Sequence, residues 1–229
     1  MPEYFHFLWI SALGLALFGL AEWMYHIKGL HVEITRKVVH IGIGLLSLFF
    51  PIYFQNQWWV LLMCALFQLT LVLTINFGHL HSINAVKRKT YGSIVYPIVV
   101  YLVYLAWFYS GSLEDQTKQS YAYFYLPILI MALCDPIATL IGRLYPVFRF
   151  RILNNKSIGG LMAFWVGAFI LSVIILFPSH AFNTKDLTWV AIFIATVASF
   201  TELYSKKGLD NLFIPISVLL AMYVVEYFF

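Results

Sequence analysis

Eight stretches of about 17 to 22 mostly apolar residues, separated by short polar breaks, constrain this chain more than any other feature. They fall at residues 4–25, 38–54, 58–75, 93–109, 121–142, 160–177, 187–204 and 212–228. A helix needs about 20 apolar residues to cross a bilayer, and only a helix or a closed barrel satisfies its backbone polar groups where there is no water. The alternating segments that mark a β-barrel are absent. With 62% hydrophobic and 10% charged residues, the chain is too apolar for a soluble domain or a disordered segment, and two cysteines do not make a disulfide scaffold. The expected fold is an all-α, polytopic transmembrane helical bundle, read as a single domain over residues 1–229 because no linker, low-complexity tract or internal repeat interrupts it. No Lys or Arg precedes the first apolar run and Glu3 stands there instead, so the first helix is read as retained rather than cleaved.

Positive charge is held on the cytoplasmic side of a membrane, so the breaks set the topology. The odd breaks carry Lys28, Arg36 and Lys37; Lys87, Arg88 and Lys89; Arg143, Arg149, Arg151 and Lys156; then Lys206 and Lys207. The even breaks hold only Lys118 and Lys185, beside Glu114, Asp115 and Asp186. Twelve of the 14 basic residues therefore share one face, which predicts a cytoplasmic basic side with both termini opposite. Anionic lipid headgroups account for the net charge of +4, so no nucleic-acid partner is expected. Cys64 and Cys134 lie within apolar spans and are read as small packing residues. The His26/His31 and His79/His81 pairs lack the spacing of a zinc site.

Ionisable residues inside a span are costly and therefore informative. Glu22 and Glu202 each lie about one turn from the basic end of a helix, where each is read either as an interfacial ion-pair partner or as a site carboxylate. Asp135 is deeper, roughly 12 Å from Arg143 along a helix. Since Asp favours the N-cap and Pro the first helical position, Asp135-Pro136 is read either as a helix restarting within the membrane, with amide donors exposed to a ligand, or as a proline kink. Ala138 and Gly142 share its helical stripe, and their small size admits either a ligand or another backbone.

Lys156, Ser157, Gly159 and Gly160 enter the sixth span as a candidate phosphate cradle, although a flexible helix start in a basic loop would look similar. No Walker A loop occurs anywhere in the chain. Asp210 and Asn211 either cap the last helix or join Glu202 as oxygen ligands. Arg36 and Lys37 stand at the start of the second helix with His40 one turn inside, a set suited to a polyphosphate and a proton.

Taken in order, four pieces carry a resemblance: Arg-Lys-x-x-His at Arg36 to His40, Asp-x-x-Ala-x-x-x-Gly-Arg at Asp135 to Arg143, Lys-Ser-x-x-Gly at Lys156 to Gly160, and Glu202 followed by Gly-x-Asp-Asn-x-x-Ile-Pro at Gly208 to Pro215. Together they cover most of the chain, and it resembles the CTP-dependent lipid kinases of the polyprenol kinase family, which includes dolichol kinase, phytol kinase and the CTP-using diacylglycerol kinase. Phosphatidate cytidylyltransferase is a more distant relative, but its longer Lys-Asp and Pro-Gly-His-Gly-Gly signature is missing. One departure stands out: the family usually places Glu where Gly159 stands, and Leu161 replaces a small hydroxyl residue.

The resemblance implies transfer of the γ-phosphoryl group of CTP, with Mg²⁺, to the hydroxyl of a membrane lipid alcohol at a cytoplasm-facing site within the bilayer. Under that reading Asp135, Glu202 and Asp210 hold the metal, with Asn211 beside them. Lys156, Arg143, Arg36 and Lys37 contact phosphates, Ser157, Gly159 and Gly160 cradle them, and Asp135 or His40 serves as base. CDP-lipid synthesis is the alternative within this chemistry. A transporter or lipid flippase, for which a broken helix and buried carboxylates are equally natural, is the alternative outside it.

Overall fold

Eight helices long and apolar enough to span a membrane are present in the computed structural model, which describes residues 2–85, 90–110, 118–145, 149–150, 156–179 and 183–228. The protein is an integral membrane protein built as an all-α bundle. The first span is α1 (Glu3–His26) and the second is α2 (Val32–Ser47) continued by α3 (Phe50–Tyr53). The third is α4 (Gln57–Asn76), followed by the one-turn α5 (His81–Asn84), and the fourth is α6 (Gly92–Tyr109). The fifth runs through α7 (Lys118–Leu129), a π-helical segment at Ile130–Cys134 and α8 (Asp135–Leu144). A two-residue antiparallel ladder of β1 (Arg149–Phe150) with β2 (Lys156–Ser157) leads into α9 (Ile158–Leu176), and α10 (Thr184–Tyr204) and α11 (Asp210–Phe228) complete the bundle.

Local chemistry explains most of these boundaries. Asn56 caps α4 by accepting from the Trp58 N–H, Asn183 caps α10 through Lys185 and Asp186, and Ser157 caps α9 through Gly160. The turn from α10 to α11 needs a left-handed backbone at Gly208, whose φ is +82°. At one end of the bundle, Glu3 accepts from the Asn56 N–H and the Tyr104 hydroxyl donates to the Phe54 carbonyl at 2.8 Å. The basic end is tied where the Tyr91 N–H meets the Lys207 carbonyl and the Asn211 amide meets that of Gly92.

The fifth span occupies the centre, with 56% of its apolar window buried against 22% for α1, α4 and α9. Those outer helices turn side chains such as Leu8, Trp58 and Ile174 outward, which costs nothing in hydrocarbon.

One expectation is corrected and one open reading is decided. The second helix begins at Val32 rather than at residue 38, because His31 caps it by accepting from the Glu33 N–H and the polar run that follows keeps its backbone bonds. Arg36 and Lys37 therefore sit a turn inside the helix. The fifth span does not restart at Asp135: Cys134 and Asp135 are both right-handed helical, with no side-chain cap. Pro136 would drive its ring into the carbonyl four residues back, and the π-helical turn makes room for it without a break. Lys156 stands at the entrance of α9 as expected, and its backbone pairs there with Phe150 in the short ladder. Lys87, Arg88, Lys89, Glu114, Asp115, Arg151, Asn154 and Asn155 lie outside the described residues.

Candidate active site

The π-helical turn sets up the deepest part of the site. In such a turn the Met131 carbonyl would look to the N–H five residues on, and that residue is Pro136, which has none. His40 supplies the donor instead, with Nε2 at 3.0 Å from the Met131 oxygen. A carbonyl only accepts, so Nε2 carries a proton and the Nδ1 of a neutral His40 is left as an acceptor. Tyr96 closes on the same residue, donating its hydroxyl to the His40 carbonyl at 3.0 Å with the rings edge to face at 4.8 Å. Proline, π-turn and histidine thus form one unit that presents Asp135 beside α2.

Asp135 interacts electrostatically with His40, Lys37 and Glu202. Lys37 also lies in the fields of Glu33 and Asp210, and Glu202 in that of Asp210. Asp135, Asp210, Glu202, Lys37 and His40, drawn from α2, α8, α10 and α11, thereby share one neighbourhood at the basic end. Arg143 also acts electrostatically on Lys37, its guanidinium more than half exposed and 3.7 Å from the Glu33 carboxylate.

Lys156 bridges to this cluster through Glu202, with Nζ 2.8 Å from its carboxylate and also donating to its backbone carbonyl. Their side chains are 20% and 10% exposed, so the pair is largely withdrawn from solvent. Removing one partner strands the other. Glu202→Ala is expected to destabilise the protein by roughly 2 to 4 kcal/mol, towards the low side for a buried pair, whereas Lys156→Met with Glu202→Leu should recover most of that stability but no activity. Thermal unfolding of the two variants and the parent in detergent checks this, and equal stabilities for the single and double variants would mean that the pair does not hold α10 to β2.

Ser157, Gly159 and Gly160 are placed mainly by packing. The Ser157 hydroxyl accepts from the Gly160 N–H at 3.1 Å. A Cβ on Gly160 would meet the Ala138 carbonyl at 2.8 Å and the Gly142 Cα at 3.4 Å. The small residues of the Asp135 stripe are thus filled by the start of α9 rather than by an open ligand space. A Cβ on Gly159 would lie 2.9 Å from the Tyr145 carbonyl, so the chain leaving α8 covers the position where the resemblance leads one to expect Glu. Asn211 ties α11 to α6 by donating to the Gly92 carbonyl at 3.0 Å, and Asp210 accepts from the Asn211 N–H at 3.0 Å.

Among the described residues, Asp135, Glu202 and Asp210 do not close into a three-ligand group. The group whose ligand atoms lie within 4.8 Å of one another is Glu22, His26 and His81. Glu22 there accepts from the Ser82 N–H and hydroxyl and pairs with His26 at 2.9 Å, so it serves as a knot joining α1 to α5. Two members of the site neighbourhood escaped sequence reasoning. Glu33 precedes Lys37 by four residues, a spacing that signals a helical ion pair. The hydroxyl of Tyr96, inside an otherwise apolar span, was the only hint of its role.

Beside the charged cluster opens an apolar cavity between α1, α2, α4 and α6, with Arg36, Ser93 and Asn211 at its basic end. A bundle of membrane-spanning helices, carrying an intramembrane cluster of acids, bases and a histidine next to an apolar cavity, defines the class of this protein. Over 228 residues the chain is 28% identical to the phytol kinase of Synechocystis sp., a match covering 96% of this chain and 93% of that protein. No family model matches the chain, and no solved structure matches it.

Proposed function

We propose that the protein is a lipid kinase that transfers the γ-phosphoryl group of CTP to the hydroxyl of a membrane-borne isoprenoid alcohol, with Mg²⁺. The observation that carries this reading is that the four motifs, spread from Arg36 to Pro215, meet at one end of the bundle in a chain similar to a phytol kinase along nearly its whole length. The donor set suits Mg²⁺, which takes one or two carboxylates and completes its shell with phosphate and water. Lys156 occupies Glu202, so Asp135 and Asp210 are the residues that would hold the ion. Bound there, Mg²⁺ would neutralise triphosphate charge.

Lys37 and Arg36 bind the nucleotide's phosphates and offset the charge that moves to the leaving CDP. Lys156, held by Glu202, supplies a further positive charge at the entrance of α9. His40 accepts the alcohol proton on Nδ1 as the hydroxyl oxygen bonds to the γ-phosphorus and the bridging oxygen departs with CDP. Phosphoryl transfer asks mainly for positioning and charge neutralisation, so the base is a minor contributor. The basic end would face the cytoplasm, where the nucleotide is.

The test is transfer from γ-labelled CTP or ATP to a panel of lipid alcohols in detergent with Mg²⁺. A labelled isoprenoid phosphate formed from CTP is the expected result. CDP-lipid formed from phosphatidic acid would move the protein to the cytidylyltransferases. A folded protein that transfers to no acceptor, and whose melting point ignores CTP with Mg²⁺, would leave the transporter reading.

A further inference from the structure

One group of ligand-type side chains takes no part in the charged cluster. Glu22 and His26 stand four residues apart near the basic end of α1, so they share one helical face. The fold brings His81, the first residue of α5, to that face, and the three ligand atoms lie within 4.8 Å of one another. Histidines paired by nearness in sequence, His26 with His31 and His79 with His81, lack a zinc spacing, whereas the structure takes one from each pair and adds a carboxylate. His31 is engaged elsewhere, its Nδ1 accepting from the Glu33 N–H at the start of α2.

Glu22 divides its two oxygens. Oε1 accepts from the Ser82 N–H at 2.9 Å and from the Ser82 hydroxyl at 2.8 Å, while Oε2 lies 2.9 Å from His26 Nε2. A carboxylate fixed through one oxygen and offering the other has the form of a metal ligand oriented by the groups behind it. The position of α5 is set separately, since the Thr35 hydroxyl donates to the Ser82 carbonyl at 2.6 Å and Ile83 is buried in a cluster with Phe18, Ala21, Val39 and Leu71. The turn before α5 is left-handed at Gly78, with φ +68°, and at Leu80, with φ +53°, and a leucine keeps that conformation only where its surroundings hold it. A four-residue helix after such a turn depends on its ties to α1 and α2.

Two imidazole nitrogens and a carboxylate oxygen suit a transition-metal ion such as Zn²⁺ rather than Mg²⁺ or Ca²⁺, which take oxygen ligands. Around a tetrahedral Zn²⁺ with bonds of about 2.0 to 2.1 Å, neighbouring ligand atoms lie roughly 3.3 Å apart. The contact between Glu22 and His26 therefore opens by a few tenths of an ångström, and His81 closes by no more than about 1.5 Å. Both histidines are exposed and their rings already meet edge to face at 5.8 Å, so rotation about side-chain bonds supplies the movement.

We propose that Glu22, His26 and His81 bind one transition-metal ion of the Zn²⁺ type, with water as fourth ligand, and that the ion fastens α5 to α1. The ion replaces the hydrogen-bonded contact between His26 and Glu22: Nε2 gives its lone pair to the metal, and the imidazole proton sits on Nδ1. The site belongs to α1 and α5, apart from Asp135 and Asp210 on α8 and α11, and it does not depend on the kinase reading.

The experiment is titration of the chelator-treated, full-length protein in detergent with Zn²⁺, read by calorimetry, and with Co²⁺, read by its visible absorption. One equivalent and a four-coordinate Co²⁺ spectrum are expected. His81→Gln should weaken binding at least about 100-fold, and Ser82→Ala about tenfold, because a group that orients a ligand is itself worth 10 to 100-fold. Glu22→Gln keeps an acceptor for Ser82 and loses the charge, so it should fold and bind as poorly as His81→Gln. Amide exchange at residues 81–84 should slow at least about tenfold when Zn²⁺ is added to the parent, and stay unchanged in His81→Gln. His79→Ala, two positions from the site and outside it, should bind as the parent does. No binding at micromolar Zn²⁺ would overturn the proposal and leave the three residues as a hydrogen-bonded contact. Loss in His79→Ala equal to that in His81→Gln would also overturn it, since exposed histidines would then be collecting metal without a site. Binding that leaves exchange at α5 unchanged would overturn the fastening.

Discussion

Asp135→Asn is expected to fold as the parent does and to transfer phosphoryl groups about 10² to 10³ times more slowly, the scale of losing one preorganised electrostatic contact in a site of this kind. The substitution keeps the shape of the side chain and the π-helical turn before it, since Pro136, the Met131 carbonyl and the His40 Nε2 bond are untouched. What it removes is the negative charge that faces Lys37 and His40. Lys37 keeps Glu33 and Asp210 as neighbours, so the fold is not left with a stranded cation. The measurement is turnover beside melting temperature. Lost turnover with melting unchanged supports a role towards ion and phosphate, whereas near-normal turnover would remove Asp135 from the chemistry.

The second large effect concerns packing. Gly160→Val should destabilise the protein by about 2 to 3 kcal/mol and abolish activity, because overpacking is costly when the obstacle cannot rotate away. The obstacle is backbone: the Ala138 carbonyl at 2.8 Å from the added Cβ and the Gly142 Cα at 3.4 Å. Relief requires α8 and α9 to separate, and that movement carries Asp135 away from Lys156 and Glu202. Gly19→Val is the control, since nothing lies within 4 Å of a Cβ there and the side chain would enter lipid. Thermal unfolding of the two variants in one detergent decides the matter. A Gly160→Val protein as stable as Gly19→Val would mean that the glycine contact between α8 and α9 does not hold the bundle.

The helices themselves were legible because their signal is local. Hydropathy over about 20 residues reports a crossing without reference to any partner, and Asn56, Asn183 and Ser157 mark helix starts through bonds to their own next turn. The same locality misplaced the start of α2: its first residues are polar, yet helix formation follows backbone bonds rather than hydropathy. At Asp135-Pro136 the residues allow both a cap and a kink. The choice fell to the π-turn, which depends on a donor 91 positions away, at His40.

Chemistry was legible in kind and not in arrangement. Lys156 and Glu202 were both visible as candidates, but nothing local assigns them to each other across 46 positions, and their union takes Glu202 from the expected metal ligands. Gly159, Gly160 and Gly142 read equally as a phosphate cradle or a helix contact until the helices were brought together. The apolar cavity left no mark in the sequence, since most of its lining is ordinary apolar residues from separate helices. The sequence by itself determined that this protein crosses a membrane as helices, which ends of them carry the charge, and which residues are costly enough to mean something. Only the tertiary structure decided which of those charges meet and where an apolar cavity opens beside them. Length and hydropathy act along the chain, whereas charge pairing and cavity shape arise between segments that the fold alone makes neighbours.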